Sequence, residues 1–408
     1  MEQSGEKENE QNQKVEKEEV ENKEKELQKE PKELNKKIDN PEGKEKKQGE
    51  EEENKEKEIQ KEKELNQKIK EKMPKHEEEL TKKNKEEEKE EIKEKQNELL
   101  NNKKNEEQKE IKKEQSSEEL EKLIDYKYNE AGELLHKETG KKVNKLSQKE
   151  YELVGKYVQK YVEELLIKKF NLTILYVPNN KSTDYTKRDE SQAQCKILTT
   201  KDFPKNQKCL LLIQGTGAVR LGQWARSVCI NENIDLGSMI PYVEKAINNQ
   251  FSVIIFNPNE RRDFLYEENK IKEFTTMERH SVYVYNNIVK TNDNIKDIYI
   301  VAHSMGGACT VEILLNNKED LLNGKIKKIA FTDSVHGEEY KDLGIKGIEQ
   351  FRKISRNYVC SKKKAGEFER DYTTSYGGVD CYSSGHNKHE YTSGYAIDEI
   401  FKYFNSNE

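Results

Sequence analysis

The sequence has few cysteines and no long apolar run. Its six cysteines are scattered, and none has the C-x-x-C spacing of zinc ribbons and redox motifs, which favours free thiols in a reducing compartment. No apolar stretch approaches the roughly 20 residues that a transmembrane helix needs, and the first residues lack the basic-then-apolar pattern of a secretory signal. We therefore expect a protein of the nucleus or cytoplasm that is neither secreted nor transmembrane.

Aromatic residues are absent from the first 115 positions. This segment holds 38 acidic and 31 basic residues, whereas the rest of the chain holds 42 and 43. Such a composition buries too little apolar surface to offset the conformational entropy lost on ordering. The sequence predicts a charged Lys/Glu-rich tail over 1–115 that is disordered or partly helical. Its single thin apolar seam is too sparse for a firm coiled coil, and a solvating linker is favoured over an interaction arm.

Residues 116–408 are long enough for one large core, and we predict a single domain there. Ser116 followed by Glu119 matches a capping box, which predicts a helix from this point. Apolar residues over 148–169 recur at spacings of three and four, as on the buried face of a second helix. A pair of helices is therefore expected ahead of the main fold.

Beyond residue 170 the pattern alternates between short apolar strands and helical stretches. Continuous apolar strands of this kind indicate a parallel sheet covered on both faces. The predicted strands are LTILYV (172–177), CKIL (195–198), CLLLIQG (209–215), SVIIFNPN (252–259), IYIVAHS (298–304), KIAFTDS (328–334) and YVCS (358–361), and the helices cover 239–249, 275–291, 306–317 and 394–404. The sequence predicts a three-layer α/β fold with a mostly parallel central sheet.

One strand-to-helix junction carries a nucleophile motif. The segment AHSMG, centred on Ser304, fits G-x-S-x-G with Ala302 in the first glycine position. Small residues two before and two after the serine let the strained turn lie between strand and helix. The amide of Met305 would then face a developing oxyanion. The structural alternative is a serine that only caps the helix.

A nucleophilic serine needs a histidine base and an acid that orients it, in the chain order Ser, acid, His for this fold. His389, in a loop before the last helix, is the preferred base, and His386 is its competitor. Asp333, after the strand that follows the elbow, is the preferred acid. Asp380 would suit the more usual position one strand later.

The turn after CLLLIQ is the candidate for the second oxyanion donor. Gly215, Thr216 and Gly217 follow the third predicted strand, whose loop supplies that amide in α/β-hydrolases. The structural alternative is a flexible turn. A phosphate-binding loop is excluded because no G-x-x-x-x-G-K-[ST] occurs.

Several segments together resemble one family, the argonaute-binding protein 2 domain, and within it the animal proteins known as family with sequence similarity 172. The resemblance rests on QGTGAVRLGQWAR and its continuation to residue 259, followed by VAHSMGGACTVEIL, FTDSVH and KHEYTS, and it spans roughly 150–408. It implies an α/β-hydrolase-like fold. Related domains at the C-termini of fungal histone deacetylases and in a yeast Argonaute chaperone complex imply a nuclear role. By motif, Ser304, Asp333 and His389 correspond to the family's serine, acid and histidine.

Two arginines flank the only tryptophan in this signature. Arg220, Trp224 and Arg226 could hold an acidic or nucleic-acid ligand beside the oxyanion loop. The favoured alternative is that Trp224 packs beneath the loop while the arginines pair with Glu232 and Asp235. Because the charges of 116–408 nearly cancel, direct contact with RNA is not expected.

Two functions follow from these observations. The resemblance implies a nuclear regulator that works with protein partners, Argonaute-like or deacetylase, in siRNA-linked heterochromatin silencing, RNA silencing or co-transcriptional regulation. The elbow and its partners predict instead a serine hydrolase acting on esters or acyl groups. No metal or organic cofactor is expected, because the histidines lack H-x-x-x-H and H-E-x-x-H spacing.

Overall fold

A computed structural model describes residues 115–201, 203–263 and 270–407. The predictions for the charged tail, including its helical parts, lie outside the described residues, except at residue 115. Across the described part of the chain, no helix is long and apolar enough to cross a membrane.

The first described elements differ from the predicted pair of helices. Helix α1 (Ser117–Glu121) has the expected capping box at Ser116 but ends after five residues. It is followed by a hairpin of β1 (Tyr126–Tyr128) and β2 (Leu134–His136). The hairpin turns at Gly132, whose positive φ of 76° suits glycine. Tyr128 stacks on Tyr161 of helix α2 (Gln148–Phe170) with ring centroids 4.8 Å apart, so packing on α2 favours a strand here.

An eight-stranded sheet forms the centre of the described part of the chain. Its strands are β3 (Thr173–Val177), β4 (Cys195–Thr199), β5 (Lys208–Ile213), β6 (Phe251–Ile255), β7 (Asp297–His303), β8 (Ile326–Thr332), β9 (Ser355–Val359) and β10 (Asp380–Ser383). They lie in the order β10-β9-β8-β7-β5-β6-β4-β3. The six strands from β10 to β6 are parallel, whereas β4 and β3 are antiparallel to their neighbours.

Helices cover both faces of this sheet. They are α3 (Arg226–Asn231), α4 (Ile234–Gly237), α5 (Ile240–Asn248), α6 (Met277–Val284, extended by a π-helical turn, Tyr285–Val289), α7 (Gly306–Asn316), α8 (Lys318–Leu322), α9 (Gly344–Ile354), α10 (Arg370–Ser375) and α11 (Thr392–Asn405). Alternate residues of β5 face opposite cores: Leu211 and Ile213 pack with α6, α7 and α9, and Leu210 and Leu212 pack with α2, α5 and α11. Strand β10 and the helices α3, α4, α8, α9 and α10 were not among the predicted elements.

The register of the parallel strands brings three chain segments to one edge. Ile213 of β5 is level with Ala302 of β7, and His303 is level with Thr332 of β8. The residues that follow these strands therefore meet at the carboxyl edge of the sheet, where α/β proteins place their sites. The sheet is mostly parallel, helices cover both of its faces, and a sharp turn follows β7. The molecule therefore has an α/β-hydrolase-like fold, as the sequence predicted.

Candidate active site

The turn between β7 and α7 has the strained geometry of a nucleophile elbow. Ser304 has a φ of 51°, in the left-handed region that non-glycine residues rarely adopt. Its carbonyl oxygen accepts hydrogen bonds from the N–H groups of Val335 (2.8 Å) and Gly307 (3.0 Å), which hold the turn. A Cβ at Gly306 would lie 2.5 Å from the carbonyl oxygen of Ile213, so only glycine lets α7 begin this close to β5. The serine side chain remains half-buried.

Asp333 and His389 form a hydrogen-bonded pair at the same edge. Asp333 follows β8 directly, and its Oδ2 lies 2.6 Å from Nδ1 of His389. The second carboxylate oxygen accepts the N–H of Cys360 at 3.3 Å. The Asp333 side chain is 10% exposed and that of His389 is 45% exposed. With Nδ1–H donating to the carboxylate, Nε2 of His389 is the ring atom left to accept a proton.

The electrostatics of the pair favour its charged forms. The hydrogen bond to Asp333 raises the pKa of His389 above its ordinary value, and partial burial only weakens this effect. Burial by itself would raise the pKa of Asp333. The hydrogen bond and charge of His389, with the Cys360 N–H, outweigh burial and hold that pKa below its ordinary value.

The serine and the histidine are not hydrogen-bonded to each other in this structure. Within the described ranges, Ser304 Oγ has no hydrogen-bond partner, and the ring of His389 lies against that of His303 with centroids 4.6 Å apart. Catalytic hydrogen bonds of this kind are often long before substrate binds. A working triad would need Ser304 Oγ and Nε2 of His389 to come within hydrogen-bond distance.

His303 is a site residue that the sequence analysis did not consider. It is 4% exposed, and its Nδ1 lies 2.9 Å from the carbonyl oxygen of Thr332. Burial, then the neighbouring charge of His389, lowers the pKa of His303 to about 4. The ring is therefore neutral at physiological pH and packs as an uncharged wall beside the base. Its position immediately before the elbow serine was the available signal.

The predicted oxyanion loop lies against the elbow. A Cβ on Gly215 would come within 2.8 Å of the Ser304 Cβ, so the loop passes directly over the serine. The N–H of Met305 has no hydrogen-bond partner among the described residues and is free to donate. Thr216 and Gly217 are exposed at the tip. Asn259, a residue that the sequence analysis missed, anchors the loop by donating to the Gly215 carbonyl oxygen at 2.7 Å.

The alternative acid and base lie elsewhere. Asp380 is exposed at the first residue of β10, at the opposite end of that parallel strand from the carboxyl edge. The ring of His386 stacks on that of Tyr391, with centroids 4.3 Å apart, and lies tilted against that of Tyr395 at 4.8 Å. The structure thus brings Asp333 and His389 together and neither of their competitors.

Of the three candidate ligand-binding residues, Trp224 is buried, whereas Arg220 and Arg226 are partly exposed. Trp224 is 1% exposed and packs edge-on against Tyr242, so it cannot serve as a surface platform. The expected pairing of the arginines with Glu232 and Asp235 is wrong. Arg220 Nε lies 3.8 Å from Oε2 of Glu260, and the Arg226 guanidinium lies over the Tyr151 ring at 4.8 Å. The loop and α2 are packed together here, and this brings different partners to both arginines.

The described residues contain no group of three or more His, Cys, Asp or Glu side chains arranged to hold a metal ion. All six cysteines are free thiols, and five of them are buried. Burial raises the pKa of each buried thiol, which keeps it protonated and unreactive.

Comparison with known proteins identifies the family. The sequence model described as the Arb2 domain matches residues 116–365, beginning earlier than the resemblance near residue 150 and ending before His389. The human protein "Cotranscriptional regulator ARB2A" is 31% identical over 69% of this chain and 79% of its own length. A Dictyostelium discoideum homologue of that regulator is 32% identical over 69% of this chain and 78% of its own length.

Among solved structures, one described as a histone deacetylase from Saccharomyces cerevisiae is similar over 62% of this chain and 96% of that one, with 12% identity and a TM-score of 0.39. That degree of similarity has no bearing on activity. The match of the sequence model and the identity to the cotranscriptional regulators, in contrast, cover most of the chain. The chain belongs to the Arb2 domain family.

Proposed function

We propose that this protein is a serine hydrolase that cleaves an ester or acyl group at Ser304. The observation that carries the proposal is the 2.6 Å hydrogen bond between Asp333 and His389 at the sheet edge where Ser304 occupies its strained turn. A serine that only capped a helix would need neither an oriented imidazole nor a positive φ. The glycine loop lying over the serine adds a second source of oxyanion donors.

The reaction follows from the roles of these groups. Ser304 Oγ attacks the carbonyl carbon of the substrate while Nε2 of His389 takes the hydroxyl proton, and Asp333 stabilises the resulting imidazolium. Amides of Met305 and of the Gly215–Gly217 turn donate to the oxyanion. His389 then protonates the leaving alcohol or amine as its bond to the acyl carbon breaks. Water, deprotonated by His389, releases the acyl group as a carboxylic acid and restores Ser304.

Labelling with a fluorophosphonate tests this proposal, because the probe reacts with a serine whose base is in place and whose site is open. We expect the wild-type full chain to be labelled, and Ser304→Ala and His389→Ala to be unlabelled. His386→Ala is the matched control, since its ring stacks on tyrosines away from Asp333, and it is expected to label normally. A wild-type protein that is folded by circular dichroism yet unlabelled would make the elbow architectural and overturn the proposal.

A second function is supported by the relatives rather than by the site. The human and Dictyostelium relatives are named as a cotranscriptional regulator and its homologue. We infer that this protein also acts in the nucleus on transcription-linked processes, including siRNA-linked heterochromatin silencing, through Argonaute-like or deacetylase partners. The near balance of charge in residues 116–408 favours protein partners over direct contact with RNA.

The two functions are separable by experiment. Full-length protein and its Ser304→Ala variant would each be captured from nuclei of the source organism, and the partners identified by mass spectrometry. Recovery of Argonaute, deacetylase or splicing proteins with both forms would support a regulatory role independent of hydrolysis. Recovery of none of them with either form would contradict it, while leaving the labelling result to stand alone.

A further inference from the structure

A polar cleft of about 470 Å³ lies between helix α2 and the loop that follows β5. Its charged and amide side chains include Glu152 and Lys156 of α2, Arg220, Gln223 and Arg226 of the loop and α3, and Glu260. None of Ser304, Asp333 and His389 lines it, so it is distinct from the candidate active site. Its volume falls within the range of small-molecule sites.

Arg226 is a cation without a counter-ion in this cleft. Its guanidinium lies over the Tyr151 ring, its Nε is buried without a hydrogen-bond partner, and no carboxylate in the described residues is within ion-pair distance of it. Gly155 leaves room for it, because a Cβ there would lie 3.0 Å from Nη1. Arg226 as a whole is partly exposed, so only its Nε–H is removed from water. A buried N–H without an acceptor is unfavourable, and a ligand oxygen would remove that cost.

Gln223 supplies a second unused donor. Its side chain is 0% exposed, and its Oε1 accepts the Arg220 N–H at 3.1 Å. Its Nε2 has no hydrogen-bond partner within the described chain. A buried amide N–H of this kind carries a desolvation cost that a ligand oxygen would remove. Two residues of the cleft lining, Gln223 and Arg226, thus each carry a buried donor without a partner.

The charged side chains around the cleft also favour an anion. Lys156, Arg220 and Arg226 are set against two carboxylates, those of Glu152 and Glu260. Arg220 Nε is 3.8 Å from Glu260, a loose contact, and its Nη1 donates to the carbonyl oxygen of Val219 at 2.9 Å. The cleft therefore presents a net positive charge.

We propose that this cleft binds the oxyanion group of a small organic molecule, a carboxylate or a phosphate. Arg226 and Gln223 donate to its oxygens, and Lys156 adds charge from α2. Guanidinium groups bind both anions through paired hydrogen bonds, so the shared chemistry is an oxygen-rich anion. Arg220 and Arg226, which the sequence analysis singled out with Trp224, both line this cleft, whereas Trp224 does not. The proposed anion site goes beyond both functions proposed above.

Equilibrium dialysis of the full-length protein at low ionic strength, against labelled inorganic phosphate and separately against labelled succinate, tests the proposal. We expect the wild type to bind at least one probe, and the tighter of the two identifies the anion. Arg226→Gln is expected to weaken binding by about tenfold or more, as for the loss of a charge-assisted hydrogen bond. Gln223→Glu keeps an oxygen that accepts the backbone N–H of Arg220 but replaces the unpartnered Nε2 donor by a negatively charged oxygen. This variant is expected to lose anion binding.

Arg279→Gln is the matched control, since Arg279 is exposed on α6 and does not line this cleft. It is expected to bind as the wild type does. Arg226→Lys, which keeps the charge without the planar fork, is expected to bind with intermediate affinity and covers the case in which Arg226→Gln does not fold. Absence of binding of both probes, equal loss in Arg279→Gln, or wild-type binding in a folded Arg226 or Gln223 variant would overturn the proposal.

Discussion

At the residue scale, the hydrogen bond between Asp333 and His389 controls the state of the imidazole. It fixes the proton on Nδ1, orients the ring, and stabilises its charged form. The neutral ring of His303 packs against this imidazole, and its own Nδ1 is engaged with the Thr332 carbonyl oxygen. Asp333 itself reaches this position through a left-handed φ of 45°, a second strained residue at the same edge.

Asp333→Asn is predicted to abolish most of the reactivity of Ser304 while the fold persists. The amide would present a donor to the ring, so His389 would be held in the wrong tautomer. We expect the fluorophosphonate labelling rate to fall on the order of 10⁴-fold. The rate is measured beside Asp380→Asn, which alters the exposed residue at the far end of β10 and is expected to have no effect. Equal rates in the two variants would remove Asp333 from the mechanism.

The labelling rate is also predicted to depend on pH through His389. Only the neutral imidazole accepts the serine proton, and contact with Asp333 raises the pKa of His389 above its ordinary value of about 6.5. The rate should therefore rise with pH to a midpoint above that value. Removal of the carboxylate in Asp333→Asn should move the midpoint of the remaining activity to lower pH. A midpoint unchanged by this substitution would show that another group titrates.

The raised pKa of His389 also makes the free energy of unfolding depend on pH. Because the folded-state pKa of His389 is raised, its protonated form contributes to stability below the ordinary histidine pKa, and this contribution is lost as pH rises through the raised value. The His389 side chain is 45% exposed, so screening by solvent keeps the effect small.

At the element scale, the close approach of α7 to β5 and the passage of the glycine loop over the elbow build the site. Ile213, Ala302 and Thr332 end or nearly end three adjacent parallel strands in register. Helix α11 begins just after the short 3-10 turn His389–Tyr391, and Thr392 Oγ1 donates to the His389 carbonyl oxygen at 2.8 Å. Strands thus place the serine, the loop and the acid, while the start of a helix places the base.

Gly306→Ala is predicted to disturb both packing and reactivity. Its Cβ would meet the backbone oxygen of Ile213 at 2.5 Å, and backbone of a central strand cannot move aside cheaply. We expect a loss of about 1–3 kcal/mol in the free energy of unfolding and loss of labelling, because the Met305 amide would shift. Gly324→Ala, which meets no atom within 4 Å and has only the cost of its positive φ, is the comparison and should label normally. Normal labelling of Gly306→Ala would contradict this account of the elbow.

At the scale of the whole molecule, the composition divides the chain into a charged segment and a domain. Residues 1–115 carry 38 acidic and 31 basic residues without an aromatic side chain, and the match to the Arb2 domain begins at 116. We propose this division as the domain organisation of the protein. The acidic excess belongs to the first segment, so salt-sensitive contacts with basic partners would arise there rather than in the domain.

Limited proteolysis is predicted to reveal the same boundary. A protease that cuts after lysine should degrade residues 1–115 first, because their composition predicts little burial, and should leave a resistant fragment that begins near Ser116. Mass spectrometry of the fragment gives its first residue. A resistant fragment that begins well before residue 100 would contradict the proposed division.

The sequence by itself determined the features that depend on local chemistry. Strand and helix periodicity predicted the α/β fold, the small residues around Ser304 predicted the elbow, and chain order pointed to Asp333 and His389. The periodicity and the elbow depend on neighbours a few residues apart, where sterics and hydrogen-bonding pattern leave little choice. The order of serine, acid and histidine belongs to the fold that this periodicity predicted.

Only the tertiary structure decided what depends on residues far apart in the chain. Packing on α2 made a hairpin of residues predicted as helix, and the direction of β10 placed Asp380 at the opposite end of that strand from the carboxyl edge. Lys156 of α2 lines the same cleft as Gln223 and Arg226, which lie far from it in the sequence. His303, at the end of β7, likewise contacts His389, just before α11. Such meetings follow from how helices and strands pack against one another, and that packing is a property of the whole fold which no short segment encodes.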